Sequence, residues 1–339
     1  MEKINVIEHI RRRPGMYIGS LDHAGFNELI HYLIQDLIAT ETFEITFILK
    51  ENNQLIIEGL NEKTFDFISK AVEDINDYNG ENFHLSIATL IGLSDYLKIE
   101  FDDCVVLNSN KGIFKIENEI LKAKKIKFDF TIDKDIFKNL VVDYISINHL
   151  LKRFSYLNSK LRIKSIDESG IEKQTNIFHF SNGLSEKIDF ELRERMLNND
   201  LIFRLNFDKE TEYSYSLALA FVRGFWMDPK LKVYSNYKES SLGGSLLDGI
   251  LQGMKLFFKR QSRKKNLNMS ITNAKLKNHL ILFASVTGEL NYLGATRAKL
   301  GTPKVQLEIK EFVYLELQSY FSDKEDELKD IFDVLQNNY

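Results

Sequence analysis

Arg11-Arg12-Arg13-Pro14-Gly15-Met16-Tyr17-Ile18-Gly19-Ser20 is the stretch on which the reading of the fold turns. Three guanidiniums precede a Pro-Gly turn, and three packing side chains, Met16, Tyr17 and Ile18, follow it. On composition alone this is a basic N-terminal arm and a turn. The segment after it gives it weight. Gly25 to Thr40 reads as an amphipathic helix, because Phe26, Leu29, Ile30, Leu33, Ile34, Leu37 and Ile38 recur at i, i+3, i+4 spacing. Tyr32, Asp36 and Thr40, at i, i+4 and i+8, form one polar stripe on the same helix.

Further along, Glu44 to Lys50 and Gln54 to Glu58 read as two strands around the turn Glu51-Asn52-Asn53. Thr64 to Ile75 reads as a helix, Asn79-Gly80 breaks the chain, and Phe83 to Leu97 reads as a second, mostly apolar helix. Lys98 to Glu117 holds two or three short strands, and Lys125 to Thr131 another. Asp133 to Lys160 reads as two helices around a break. This first segment is α+β, with helices on one face of a mostly antiparallel sheet. A second segment starts near Leu161, with strands at Leu161–Ser165, Asn176–Phe180, Ile202–Phe207, Tyr213–Val222 and Leu231–Asn236. Gly243-Gly244 precedes a helix from Ser245 to Lys259, then strands at Asn268–Thr272 and Leu280–Gly288, and a helix over Lys304–Asn338. The β–α–β order around the Gly243-Gly244 helix predicts a right-handed crossover.

Composition sets the class. The chain has 339 residues, 44% of them hydrophobic, and a formal net charge of -4, which suits a soluble globular protein of two domains. The single cysteine, Cys104, excludes an intramolecular disulfide and fits a reducing compartment. The charged start, Glu2 and Lys3, is unlike a signal peptide, and no apolar run is long enough to span a membrane. The seven histidines are scattered without metal-ligand spacing.

The Arg11–Ser20 string, followed by an amphipathic helix, resembles the opening of the B subunits of DNA gyrase and topoisomerase IV, R-x-R-P-G-M-Y-I-G. Four more stretches resemble that family in the right order. Leu150 to Ser159 is similar to its helix ending in a leucine-asparagine turn, and Phe178 to Leu184 to its F-x-Y-x-G-G stretch. Asn236 with Gly243-Gly244-Ser245 is similar to its N-x(6)-G-G-T segment, and Ala295 to Gly301 to its Q-T-K-x-K-L-G loop. The resemblance implies a GHKL-type (Bergerat) ATPase-like α/β sandwich over residues 1–160. A ribosomal-S5-like transducer domain with a C-terminal helix follows over 161–339. It also implies a bacterial, cytoplasmic protein, ATP and Mg²⁺ as cofactors, and a module that dimerises as a gate for double-stranded DNA.

The departures from the family fall on its chemistry. The resemblance places the water-activating Glu at Tyr32, the Mg²⁺-holding Asn at Asp36 and a second Glu at Thr40. A phenol is a far weaker base than a carboxylate near neutral pH, and a positioned base contributes ~10²–10⁴-fold in rate. Asp36 can still bind Mg²⁺ through oxygen, whereas Glu28 lies one turn too early to replace the base. The adenine-reading Asp falls at Gly59; Glu58 is one residue off, which turns a strand side chain to the opposite face. In the phosphate loop only Gly80 remains of the family's glycines, and the adenine-supporting Gly-Thr pair aligns with Lys125 and Ile126. Arg297 keeps a positive charge where the family has its phosphate-contacting Lys.

Outside that site, Lys259, Arg260, Arg263, Lys264 and Lys265 form a basic cluster at a helix end. Such a cluster suits the helix dipole, and it also suits a nucleic-acid backbone. The sequence thus predicts a module with a degenerate nucleotide site in which ATP and Mg²⁺ go unused. It would act as a homodimer or as a partner of an A-type or B-type topoisomerase subunit. The alternatives are a divergent active ATPase using Glu28, Asp36, Glu58 and Arg297, and a DNA-binding accessory protein. The chain as given carries no counterpart of the family's metal-binding cleavage domain.

Overall fold

The computed structural model describes residues 6–61, 85–118, 123–138, 140–224, 230–294 and 297–336. The chain divides into two units, Met1–Ser181 and Asn182–Tyr339. The expected helix over Thr64–Ile75 lies outside the described residues.

Among the described residues, the first unit is built on an eight-stranded sheet. Its strands are β1 (Glu44–Lys50), β2 (Gln54–Leu60), β3 (Ser94–Phe101), β4 (Cys104–Asn110), β5 (Ile113–Ile116), β6 (Lys125–Ile132), β7 (Arg162–Glu168) and β8 (Gln174–Phe178). Their order is β5-β4-β3-β6-β2-β1-β7-β8, antiparallel throughout except for the parallel pair β1 and β7. Alternation decides which face is packed. Ile45, Phe47 and Leu49, Leu55 and Ile57, Leu97, Ile99 and Phe101, and Ile126, Phe128 and Phe130 are all buried. The side chains between them carry charge and pair on the other face: Lys98–Glu100 at 2.9 Å, Lys127–Glu100 at 3.0 Å and Lys125–Glu58 at 3.3 Å. This is an antiparallel sheet with one packed and one wet face. Partial burial pushes the Glu100 carboxyl up, but hydrogen bonds from Lys98 and Lys127 outweigh it and hold it below the ordinary carboxylate range.

Helices cover the packed face. The central one runs from His23 to Ala39 and buries the stripe its spacing predicts. Asp22 caps it, accepting from the backbone N–H of Ala24 at 2.9 Å and of Gly25 at 3.3 Å. Gly25 is required there, since a Cβ would lie 1.8 Å from the Ser20 carbonyl oxygen. The Leu85–Leu93 and Tyr144–Leu157 helices pack beside it, and the Val6–Arg12 helix packs on Leu85–Leu93.

Several expectations change. The helix expected to Leu97 ends at Leu93, and Ser94–Phe101 pairs as a strand because Leu97, Ile99 and Phe101 alternate inward. Among its described residues, the region expected as two helices over Asp133–Lys160 holds one, Tyr144–Leu157, because the buried Asp133 caps a turn, accepting from Asp135 N at 2.9 Å. The boundary falls after Ser181 and not after residue 160. The reason is pairing: β7 joins β1 in parallel and β8 extends it, so both strands complete the first unit's sheet.

The second unit has its own core. Its strands are β9 (Leu201–Glu210), β10 (Ser214–Val222), β11 (Lys230–Ser235), β12 (Lys238–Glu239) and β13 (Leu280–Thr287), in the order β12-β11-β13-β10-β9. β11 and β13 are parallel neighbours, as a β–α–β crossover requires, and the Ser245–Lys264 helix connects them. That helix crosses the Pro303–Tyr320 helix through two glycines. A Cβ at Gly249 would lie 2.6 Å from the Gln306 carbonyl oxygen, and one at Gly253 2.6 Å from that of Lys310. A Leu184–Glu194 helix, which no sequence pattern announced, packs against β10 and β13, with the Lys187 ammonium over the Phe283 ring. Residues 268–272 are not a strand; Thr272 instead caps a short helix, Asn273–Lys277. The single C-terminal helix expected over Lys304–Asn338 is two, Pro303–Tyr320 and Glu325–Gln336.

Because backbone atoms face Gly249, Gly249→Val should destabilise the second unit by roughly 1–3 kcal/mol through overpacking. Urea unfolding of the variant against the parent chain checks this, and an unchanged midpoint would contradict the helix crossing.

Candidate functional site

The polar stripe of the His23–Ala39 helix and the end of β2 come together, and each polar group there meets a partner from the same unit. The Tyr32 hydroxyl donates to the Tyr17 carbonyl oxygen at 3.3 Å. Tyr17 in turn holds His9, its hydroxyl 2.6 Å from Nδ1. Asp36 accepts a hydrogen bond from the hydroxyl of Ser86, a buried residue in the first turn of the Leu85–Leu93 helix. The Thr40 hydroxyl donates to the Leu37 carbonyl at 2.8 Å and lies 3.1 Å from the Thr42 hydroxyl. Asn61, buried just after β2, donates through its side chain to the Thr40 carbonyl and through its backbone to the Lys124 carbonyl at 2.8 Å.

Gly59 lies under this seam. Its cross-strand partner is Ile126, so the positions that align with the family's adenine Asp and its neighbouring Thr face each other directly. A Cβ built on Gly59 would lie 2.8 Å from Thr42 Cγ2, 3.1 Å from Ile126 Cγ2 and 3.4 Å from Leu37 Cδ2. Thr42, Ile126 and Leu37 are fully buried, so none of them yields into solvent. A side chain at position 59 would start tightly against all three. Glu58 is no substitute for a carboxylate there. It points to the wet face, 3.3 Å from Lys125, as the strand's period of two dictates. Burial of Lys125 lowers its affinity for the proton, but Glu58 and Asp103 reverse this and hold it above the ordinary lysine range.

The remaining candidates are dispersed. Glu28 is half-buried one turn before Tyr32. Gly80 lies outside the described residues. Arg297 belongs to the second unit, where it is exposed, left-handed at φ 54°, and stacked 5.7 Å from the Tyr292 ring centroid. Its loop is pinned to the Gly243-Gly244 turn: Leu242 N donates to Ala298 O at 2.9 Å, Leu300 N to Gly243 O at 3.1 Å and Ser245 N to Leu300 O at 2.9 Å. A Cβ at Gly244 would lie 2.1 Å from the Leu300 carbonyl oxygen, which explains the glycine. Asn236, also left-handed, exchanges two 3.1 Å hydrogen bonds with Gly288. In the basic cluster, Arg260 donates to the Tyr314 hydroxyl at 2.6 Å and Lys265 lies 3.8 Å from Glu325, while Lys259, Arg263 and Lys264 are exposed at the helix end. Among the described residues, no three His, Cys, Asp or Glu side chains gather as a metal site.

Two parts of the site were invisible in the sequence. Ser86 is fifty residues from Asp36, and Asp133 is 122 residues from Arg11. Arg11, from the Arg11–Ser20 string, reaches the fully buried Asp133 at 2.6 Å and the Gly92 carbonyl at 2.8 Å. No local pattern announces such pairs.

Two α/β units in series, the first on an eight-stranded and the second on a five-stranded sheet, are the class that this architecture defines. A family model described as DNA gyrase B matches residues 183–339. The DNA gyrase B protein of Halalkalibacterium halodurans is 23% identical over 335 residues, covering 88% of this chain and 52% of that protein. The DNA topoisomerase 4 B protein of Bacillus subtilis is 21% identical, covering 94% of this chain and 53% of that protein. The chain spans about half the length of the curated relatives it matches. The 43K ATPase domain of Thermus thermophilus gyrase B shares the fold with a TM-score of 0.76 at 18% identity, over 98% of this chain and 94% of that one. The B-subunit of the DNA gyrase from Myxococcus xanthus gives 0.77 at 14% identity, over 96% and 99%. The chain is thus similar in sequence to the B proteins of DNA gyrase and topoisomerase IV, and it shares the fold of the solved gyrase B and topoisomerase IV structures. Among the described residues no helix is long and apolar enough to cross a membrane.

Removing Arg11 leaves a buried carboxylate uncompensated. Arg11→Met should cost the first unit roughly 3–5 kcal/mol, and Asp133→Asn in the same chain should recover part of that loss. Calorimetric unfolding of the two variants tests the pair, and a wild-type profile for Arg11→Met would refute it.

Proposed function

We propose that this chain is a topoisomerase B-subunit-like module that works by binding and does not turn over ATP. The observation that carries this reading is the packing at Gly59. Thr42, Ile126 and Leu37 crowd the point where any side chain at that position, an adenine-reading carboxylate included, would begin. The occupied hydroxyl of Tyr32 at the base position supports it further. The partners this reading calls for are a second copy of the chain, or a type II topoisomerase subunit of A or B type. Since the site does not depend on nucleotide, association should not depend on it either.

Isothermal titration of the full chain with ATP and Mg²⁺ should show no binding heat up to millimolar concentration. Equilibrium sedimentation should give the same mass with and without a non-hydrolysable ATP analogue. Mg²⁺-dependent turnover that disappears on changing Asp36 or Arg297 would overturn the reading. It would favour a divergent active subunit using Glu28, Asp36, Glu58 and Arg297.

A contact with double-stranded DNA rests on a narrower base, the exposed Lys259, Arg263 and Lys264 at one helix end. If those three cations each neutralise one phosphate, the slope of log affinity on log salt is about −3. A flat salt response, or none of the slope lost in a triple Ala variant, would dismiss this contact.

A further inference from the structure

β6 ends at Ile132, and the chain leaves it through a loop that mixes charge with large apolar side chains, Asp133-Lys134-Asp135-Ile136-Phe137-Lys138. Both ends of this loop are fastened. At its start, Asp133 N donates to the Leu93 carbonyl at 2.9 Å, Arg11 holds the Asp133 carboxylate, and Lys111 donates to Asp135 at 2.6 Å. At its far end it is clamped by Asn53, from the turn between β1 and β2. The Asn53 side-chain N–H donates to Leu140 O at 2.7 Å, and its side-chain oxygen accepts from Val142 N at 3.0 Å. Between these anchors the surface opens into a cavity of about 670 Å³, lined among the described residues by Ile132, Lys134, Phe137, Lys138, Leu140 and Val141.

Charge around this cavity is unbalanced. Asp133 and Asp135 are engaged by Arg11 and Lys111. Asp143 caps the Tyr144–Leu157 helix, accepting from Ile145 N at 3.0 Å. Lys134 and Lys138 are exposed and have no ion-pair partner among the described residues. Two ammonium side chains thus line the same cavity as the buried Ile132 and Phe137 and as Val141, which is 72% exposed. We propose that this cavity binds a small organic anion with an apolar body, such as an alkyl or aryl carboxylate. The apolar lining removes the body from water, and Lys134 and Lys138 donate charge-assisted hydrogen bonds to the anionic group.

The size and rigidity of the cavity select this class of occupant. Its volume falls within the roughly 300–1,000 Å³ of small-molecule sites. The loop is held in place before any ligand arrives, so binding need not order it. A stable protein partner would need roughly 20–30 residues on this side, and the cavity offers far fewer. The cavity is also separate from the Gly59 seam. Ile126, which faces Gly59, and Ile132 lie towards opposite ends of β6, about 20 Å apart along the strand. Nucleotide at the seam and an anion here are therefore independent readings.

Isothermal titration of the full chain with decanoate tests the proposal, at constant ionic strength. Acetate, which lacks the body, and decyltrimethylammonium, which carries the opposite charge, are the controls. Decanoate should bind once per chain with a Kd of roughly 1 mM or tighter, and neither control should give a binding isotherm. Replacing both lysines, Lys134→Met with Lys138→Met, keeps their apolar stems and removes their charge. It should weaken decanoate roughly tenfold or more. Val141→Glu brings a like charge to an exposed position of the lining and should also weaken it. Lys164→Met, an exposed position on β7, should change nothing.

All of these substitutions fall on exposed residues, so the unfolding midpoints should stay at the wild-type value. Absence of decanoate binding at millimolar concentration would overturn the proposal. So would binding that survives both the double-lysine variant and Val141→Glu, because the anion would then sit elsewhere. Equal binding of decanoate and decyltrimethylammonium would remove the anion from the assignment. A capped acidic peptide carrying two leucines that binds where decanoate does not would make the occupant a protein segment, and it too would overturn the proposal.

Discussion

Thr42 and Ile126 close on the bare α-carbon of Gly59 from two sides, with Leu37 completing the contact from the central helix. This seam joins the end of the His23–Ala39 helix to the middle of the sheet, and the neighbouring polar groups are arranged around it. Thr40 and Asn61 bond across it, and Asp36 bonds to the adjacent helix. Interiors packed this closely transmit any added volume to their neighbours. A side chain larger than hydrogen at position 59 would therefore move the helix end, and with it the groups that Thr40 and Asn61 hold. Position and packing are coupled: the backbone approach that lets the helix lie so close to β2 leaves little room for a side chain at position 59.

The frame of the protein is legible in the sequence to a large extent because it is written in local patterns. The stripe from Phe26 to Ile38 has the period of a helix, and the alternation of Ile45, Phe47 and Leu49 has that of a strand. Asn158 ends its helix as the leucine-asparagine resemblance implies, its N–H donating to the Phe154 carbonyl at 3.0 Å. What escaped is non-local. The apolar run from Leu85 onward has no period that separates a buried helix from a buried strand, so its switch at Ser94 comes from pairing with β6. The boundary was misplaced for the same reason, since the parallel union of β1 and β7 joins residues more than a hundred positions apart.

The candidate site divides along the same line. That Glu58 faces away from Gly59 follows from the strand period alone, and the structure bears this out. That Asp36 meets Ser86, or that Arg11 reaches Asp133, depends on how helices pack, and no spacing encodes it. In the second unit the Gly243-Gly244 pair illustrates the intermediate case. The glycines mark a tight place in the sequence, but only the geometry shows that the Leu300 carbonyl oxygen fills it and so fixes the loop that carries Arg297.

Frame and site answer to different physics. Gly244, Gly249, Asn236 and the Arg11–Asp133 pair hold backbone approaches or buried charge, so substituting them costs stability directly. An acidic side chain buried to read a ligand is the opposite case, because without its ligand it is a charge held in an apolar seam. At position 59 the glycine carries no such charge, and Thr42, Ile126 and Leu37 pack directly on it. The glycines and ion pairs that shape the two units therefore carry stability of their own, apart from any ligand, and altering them costs the chain directly.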